Sequence, residues 1–307
     1  MQLALKIDVD TYRGTLEGVP RLLNLLDKHK IRATFLFSLG PDHTGRALKR
    51  IFRPGFLNKV SRTSVLSHYG IRTLLYGVLL PGPDIGKRCL PLLRSVLDSG
   101  HEVGIHTWDH IRWQDGVEYA DAHWTSAEMN KAAQRFHDIF GSAAKTHGAA
   151  GWQMNDYAFE LTETLGFQYS SDTRGHSPFL PCVNGKIIHC PQLPSTLPTL
   201  DELLGIGDIT AHNVADHVLR ITAPLPSFPP VYTLHAEMEG MQLLPILDQL
   251  LAGWRTQGYS LGTSRNIFEN LDLKKLPAHH ITRGTVPGRS GTLMLQGPAV
   301  AQHSVMG

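Results

Sequence analysis

The stretch Leu3-Ala4-Leu5-Lys6-Ile7-Asp8-Val9-Asp10 decides the fold class. Its short, mostly apolar run from Leu3 to Val9 predicts a buried β-strand. A helical pattern follows, because the next apolar side chains are spaced as one face of a helix, at Val19, Leu22, Leu23 and Leu26. The chain therefore begins with a strand followed by an amphipathic helix.

The same alternation of apolar runs and helical patterns continues along the chain. Further strands are predicted at Ala33–Phe37, Glu102–Ile105, near Thr146, and at Phe167–Ser170, Ile187–Cys190, Val231–His235 and Tyr259–Gly262. Further helices are predicted at 85–96, from a capping box at Thr125-x-x-Glu128, and at 243–254. Strands that alternate with helices predict a mostly parallel sheet, and roughly seven or eight such units favour a barrel.

Length and composition exclude several classes of protein. The chain has 307 residues, 42% of them hydrophobic and 18% charged, with a net charge of +2. It can therefore bury a large α/β core, and it does not have the composition of a disordered chain. So small a net charge does not support nucleic-acid binding over a whole surface. Three cysteines without a CxxC pair favour a reducing compartment.

The N-terminal residues and the hydropathy pattern predict a cytosolic protein. Met1 leads directly into the first predicted strand, without a basic region or a cleavable apolar segment. No run of 18 apolar residues predicts a membrane-spanning helix.

Residues 43–83 interrupt the alternation, because they contain no Asp or Glu among many cationic and apolar residues. This composition is typical of a segment that lies in an anionic membrane interface. An insertion packed on the barrel and an oligomer contact are the alternatives. The residues expected to contact the membrane are Lys49, Arg50, Phe52, Arg53, Phe56, Lys59 and Arg62.

The C-terminal segment also lacks the alternation. From about Ala278 to Gly307 it is rich in Gly, Thr, Ser, His and Pro, which predicts poor order. We therefore divide the chain into a barrel at 1–270 and a poorly ordered tail at 271–307. The tail histidines at 279, 280 and 303 are given no role.

Two motifs at predicted strand ends suggest a metal site. Asp8 and Asp10 are two residues apart, so both carboxylates lie on one face of the first strand, where burial requires a cation or a shared proton. His106 and His110 follow the third strand with the spacing that places two imidazoles on one helical face. One carboxylate with two histidines leaves positions open for water and substrate. We expect a divalent metal, zinc by default, with cobalt, manganese and nickel as alternatives.

Three further strand ends offer polar or aromatic groups. His235 is a candidate general acid, although a lone histidine there is also consistent with a core role. In 171–175, Asp172 could orient an imidazole and Arg174 could bind an anion. The loop 148–152 allows close backbone approach and places Trp152 as an aromatic wall for a sugar.

These elements, in this order, resemble the polysaccharide deacetylase superfamily with its NodB-type domain, carbohydrate esterase family 4. The resemblance implies an α/β fold, a distorted (β/α)7-8 barrel, here with a basic amphipathic insertion at 43–83. It implies that Asp10, His106 and His110 bind the metal. Asp8 would be the catalytic base, although Val9 separates the acidic pair that is usually adjacent in the family.

The resemblance also assigns the remaining catalytic groups. It implies that His235 is the catalytic acid, and we expect Asp172 to orient it. The family's arginine loop corresponds to 148–152, which contains no arginine, so that Arg174 is the expected substitute as the partner of the base.

Within the superfamily, five segments resemble the bacterial deformylases of 4-deoxy-4-formamido-L-arabinose-phosphoundecaprenol. They are 7–15, 102–110, 149–152, 171–175 and 232–237, within a resemblance that extends from residue 1 to about residue 270. This implies release of formate from an undecaprenyl-phosphate-linked formamido sugar, in the lipid A modification that confers polymyxin resistance. It implies a peripheral enzyme on the cytoplasmic face of the bacterial inner membrane. Candidate substrate-binding residues are Arg13, Trp152, Arg174 and Glu237.

Three other functions are compatible with parts of the pattern. Another sugar N-deacetylase of the superfamily would share every motif, and the choice between a formyl and an acetyl group is not fixed by the sequence. An amidohydrolase barrel would carry a His-x-His pair on a strand, which this chain lacks. A catalytically inactive barrel that binds sugar or lipid is the non-enzymatic alternative.

Overall fold

The structure is a computed structural model that describes residues 1–47 and 70–301. The seven predicted membrane contacts, all between Lys49 and Arg62, lie outside the described residues, as does the histidine at 303. No helix within the described ranges is both long enough and apolar enough to cross a membrane.

A curled parallel sheet forms the centre of the molecule. The strands are β1 (Gln2–Val9), β2 (Thr34–Ser38), β3 (Glu102–Thr107), β4 (Thr146–His147), β5 (Tyr169–Ser170), β6 (Leu180–Val183), β7 (Lys186–Ile187), β8 (Val231–His235), β9 (Ser260–Gly262), β10 (Ala278–Gly284) and β11 (Leu293–Ala299). Seven of them form the order β5-β4-β3-β2-β1-β8, with β9 paired to the start of β1. All of these pairs are parallel, so the predicted α/β fold with a parallel sheet is confirmed.

Eleven helices lie between and after the strands of the described ranges. They are α1 (Val19–Lys28), α2 (Ile71–Leu75), α3 (Ile85–Arg88), α4 (Leu90–Asp98), α5 (His110–Gly116), α6 (Ala122–Phe140), α7 (Asp156–Thr164), α8 (Leu200–Leu203), α9 (Val214–Thr222), α10 (Leu244–Thr256) and α11 (Ser264–Phe268). The odd-numbered residues of β1 share a core cluster with side chains of α1, α6 and α10. The even-numbered residues Lys6 and Asp8 therefore face the inside of the curled sheet.

Helix α6 begins earlier than the capping box at Thr125-x-x-Glu128 predicts. The side chain of Asp121 accepts a hydrogen bond from the backbone N–H of Trp124 and caps the helix. Thr125 lies inside the first turn, where its hydroxyl donates to the carbonyl of Asp121. An aspartate N-cap thus replaces the predicted threonine cap.

An extended segment at 192–197 joins the two ends of the curled sheet. The backbone N–H of Leu193 donates to Ser170 at the end of β5, and that of Thr196 donates to Val231 in β8. The predicted strand at 187–190 does not join the main sheet, because β7 pairs with β6 in an antiparallel arrangement. The segment at 192–197 therefore occupies the position between β5 and β8.

The C-terminal residues form a β-hairpin, in contrast to the predicted poorly ordered tail. Strands β10 and β11 pair with each other, and β10 also pairs with β6, in a second sheet of order β11-β10-β6-β7. The backbone of Arg174 hydrogen-bonds to Met294 and Gln296 of β11. Backbone pairing to distant strands orders a segment whose own side-chain pattern is weak.

We predict that Leu293→Ala in β11 lowers the free energy of unfolding by about 2–5 kcal/mol, because it empties a buried site. The Leu293 side chain is 2% exposed, whereas Leu273, 47% exposed, provides a matched control. Leu273→Ala should change stability by less than about 0.5 kcal/mol. Urea unfolding measures both, and equal small effects would contradict a packed hairpin.

Candidate active site

The carboxyl ends of β1 and β3 bring Asp10, His106 and His110 together. Asp10 follows β1, His106 lies near the end of β3, and His110 begins α5. The Nε2 atom of His106 lies 3.1 Å from Oδ1 of Asp10, and Nε2 of His110 lies 3.4 Å from Oδ2. One ligand atom from each residue lies within 4.8 Å of the other two.

The donor atoms of this group are arranged to hold a metal ion. Nδ1 of His106 donates a hydrogen bond to the carbonyl of Gly148 at 2.6 Å, which directs Nε2 towards Asp10. Oδ1 of Asp10 is buried and has no hydrogen-bond partner in the described part of the chain. A proton on Nε2 of His106 pairs with Asp10 across 3.1 Å, and a bound metal ion would take the place of that proton. The three side chains therefore fit a divalent metal ion.

Charges in the group shift two pKa values. Burial alone would raise the pKa of Asp10, but His110 and His106 outweigh it, and the pKa of Asp10 is lowered. Burial alone would lower the pKa of His106, but Asp8 and Asp10 outweigh it, and the pKa of His106 is raised. Mutual stabilisation of opposite charges is thus built into the site.

Glu237 is buried and holds the turn that carries Asp10. Its Oε1 accepts hydrogen bonds from the backbone N–H of Asp10 at 3.0 Å and of Thr11 at 2.8 Å. Burial and the Asp10 charge raise the pKa of Glu237. A Cβ atom at Gly14 would lie 1.9 Å from Oε1, so only glycine allows this approach. Glu237 therefore holds this turn, and its role in substrate binding stays a prediction.

Asp8 lies beside the group on the same face of β1. Its Oδ2 forms a buried salt bridge of 3.2 Å with Nζ of Lys6. Its Oδ1 has no hydrogen-bond partner among the described residues. The sequence pattern did not predict Lys6, although a lysine two residues before Asp8 in an apolar strand must share its face.

His235 lies on the neighbouring strand at the level of Asp8. Strands β1 and β8 pair with Asp8 opposite His235. The Nδ1 atom of His235 is buried without a hydrogen-bond partner in the described ranges. Its backbone N–H donates to Glu239 at 2.9 Å. Burial raises the pKa of Glu239 to about 7, although His235 opposes this shift.

Asp172 has partners other than the predicted His235. Its Oδ1 accepts hydrogen bonds from Nδ1 of His147 at 2.7 Å and from the backbone N–H of Ala149 at 2.9 Å. Its Oδ2 accepts a bond from Gln192. Burial would raise the pKa of Asp172, but the His147 charge and the hydrogen bonds to Asp172 together outweigh burial, and the pKa is lowered. Asp172 therefore holds His147 and the loop at 148–152, which corrects its predicted role as the partner of His235.

Arg174 does not replace the missing loop arginine. Its guanidinium bonds Glu202 at 2.6 Å and the carbonyls of Leu197 and Ser195, all within the protein. The predicted roles of Arg174, as partner of the base and as binder of a substrate anion, are therefore corrected. Arg13 differs, because it lies at the partly exposed rim, 3.1 Å from Glu17.

Trp152, the predicted aromatic wall for a sugar, is buried. Its indole N–H donates to Ser195 at 3.1 Å. Cations of Lys6, Arg174 and Arg289 lie 5.1, 5.0 and 4.6 Å from its ring centre. The faces of the ring therefore attract these cationic side chains.

Comparisons with known proteins agree with this geometry. The sequence model of the family described as polysaccharide deacetylase matches residues 8–170. A protein of Shewanella sediminis is 36% identical over 96% of this chain and 94% of its own length. One from Wigglesworthia glossinidia brevipalpis is 32% identical over 92% and 98%. Both relatives are named probable 4-deoxy-4-formamido-L-arabinose-phosphoundecaprenol deformylase.

A solved structure shows the same fold. A Mycobacterium smegmatis protein assigned to the polysaccharide deacetylases aligns with a TM-score of 0.60 over 93% of this chain and 96% of its own. At 16% identity, this likeness concerns the fold alone. The curled parallel sheet therefore occurs in proteins of very different sequence.

We predict that His106→Ala lowers the affinity for zinc or cobalt by more than about 100-fold. Loss of a residue that only hydrogen-bonds a metal ligand typically lowers metal affinity by about 10- to 100-fold, and loss of a ligand itself should cost more. Isothermal titration of the metal-free protein measures the affinity. His212→Ala, at an exposed position, is the control and should bind metal as the wild type does. Equal binding by both variants would contradict the proposed ligand set.

Proposed function

The chain belongs to the polysaccharide deacetylase family, and on that premise we propose that it removes the formyl group from undecaprenyl-phosphate-linked 4-deoxy-4-formamido-L-arabinose. Its relatives at 36% and 32% identity place it in the deformylase branch of that family. The observation that supports the proposal most directly is the meeting of Asp8, His235 and the group Asp10–His106–His110 at one end of the sheet.

Asp10, His106 and His110 are the residues that would hold the metal ion. Zinc is the first expectation for nitrogen and oxygen donors, with cobalt, manganese and nickel as alternatives. When bound, such an ion lowers the pKa of a water molecule and polarises an amide carbonyl.

Two other side chains move protons. Oδ1 of Asp8, which lacks a hydrogen-bond partner in the described ranges, accepts a proton from the attacking water. His235 gives a proton to the sugar nitrogen as the formamide C–N bond breaks. The products are the free amine and formate. Because Asp8 and His235 are paired on adjacent strands, base and acid face the same substrate atoms from neighbouring positions.

The lipid-linked substrate requires access to a membrane, and we propose that the protein binds its anionic surface on the cytoplasmic side. Residues 43–83 contain basic and apolar side chains without a carboxylate. In the described part of this segment, Ile71 and Leu79 are 72% and 76% exposed. Transfer of apolar side chains of this size from water into a membrane interface lowers the free energy.

We predict metal-dependent release of formate from the lipid-linked formamido sugar. Asp8→Asn and His235→Ala should each lower kcat by roughly 100-fold or more, because each removes a proton-transfer group. Enzymatic quantification of formate, with and without a chelator, measures the activity. His212→Ala is the control.

The products distinguish the alternatives. Release of acetate from an N-acetyl sugar, without release of formate, would support a hydrolase but contradict the proposed formamido substrate. Release of neither product by the metal-loaded protein would favour a binding function.

We predict that the protein sediments with vesicles of phosphatidylglycerol more than with vesicles of phosphatidylcholine. Leu79→Ser should weaken binding by roughly 10-fold, since about 1.5–3 kcal/mol accompanies burial of a leucine. Leu225→Ser alters another exposed leucine outside 43–83 and is the matched control. Equal losses in the two variants would contradict a membrane contact at Leu79.

A further inference from the structure

Lys6 is a fully buried lysine inside the curled sheet. Its Nζ atom lies 3.2 Å from Oδ2 of Asp8 and 3.4 Å from the carbonyl of Ser171, and it lies 5.1 Å from the ring centre of Trp152. A buried ammonium group is costly unless a partner compensates it. The carboxylate of Asp8 provides this compensation for the ammonium group of Lys6.

The surroundings leave space for this side chain. A Cβ atom at Gly148 would lie 3.1 Å from Cε of Lys6 and 2.4 Å from Cδ1 of Leu36. Glycine at 148 thus keeps open the space beside the lysine chain. The loop that begins there contributes the Trp152 ring, which covers the ammonium group.

Other nearby cations are engaged elsewhere. The guanidinium of Arg174 bonds Glu202 and two backbone carbonyls. The Nδ1 atom of His106 lies 3.9 Å from Oδ1 of Asp8 but donates its proton to Gly148. Among the described residues, Lys6 is therefore the cation in close contact with the Asp8 carboxylate.

We propose that Lys6 is the positioning residue of the catalytic base. Lys6 holds Oδ2 of Asp8, so that the unpartnered Oδ1 is directed to the water that it deprotonates. The inference rests on the proposed function, because it assigns Asp8 as the base.

The test compares Lys6→Met, a nearly isosteric change without charge, with the wild type and with Lys145→Ala at an exposed lysine. We expect Lys6→Met to lower kcat for formate release by roughly 10- to 100-fold, which is the loss typical of residues that orient an active-site group without contacting the substrate. KM and the affinity for cobalt should change by less than about 3-fold, because Lys6 contacts neither the substrate nor the metal ligands. Lys145→Ala should resemble the wild type.

Chemical rescue separates positioning from packing. In Lys6→Ala, ethylammonium should restore part of kcat, whereas ethanol, similar in size but neutral, should not. Equal rescue by both, or an unchanged kcat in folded Lys6→Met, would overturn the proposal. A wild type that releases no formate would instead contradict the proposed function.

A stability measurement covers the case in which Lys6→Met fails to fold. If Lys6 pairs with Asp8, the double variant Lys6→Met/Asp8→Asn should be more stable than Lys6→Met alone, because no unpaired buried charge remains. Urea unfolding or folded yield measures the difference. A double variant no more stable than Lys6→Met would overturn the pairing.

Discussion

Burial of opposite charges at the carboxyl end of β1 is the constraint on which the site depends. Lys6, Asp8 and Asp10 share one face of the strand because side chains alternate along it. Each charge would be costly in isolation, so neighbouring elements must compensate it. The imidazoles of His106 and His110 accompany Asp10, and Lys6 accompanies Asp8. The surrounding loops are arranged to keep these contacts.

The sequence predicted the parts of the site that depend on local spacing. The strand at the N-terminus and the histidine pair after β3 are encoded within a few residues, and the parallel sheet brings their ends together. Partners of single side chains were less predictable. Asp172 and Arg174 lie two residues apart, yet one bonds His147 and the other Glu202, through contacts that no local pattern specifies.

The C-terminal hairpin shows a second limit of local patterns. Strand β10 pairs with β6, which precedes it by about 100 residues, and its residues are only partly buried. A half-exposed strand with glycine and mixed polar residues has little periodicity. Its order comes from backbone hydrogen bonds to distant segments, including those at Arg174. Such pairing depends on the whole fold.

The pairing of Asp8 with His235 has a consequence for how such a protein could diversify. Neighbouring strands lie about 4.7–4.9 Å apart, because backbone hydrogen bonds fix that distance. The spacing between these two groups is therefore inherited from the sheet itself and does not depend on any loop. Insertions at the strand ends could vary freely over generations, and recognition of new molecules could evolve, while this spacing stayed constant.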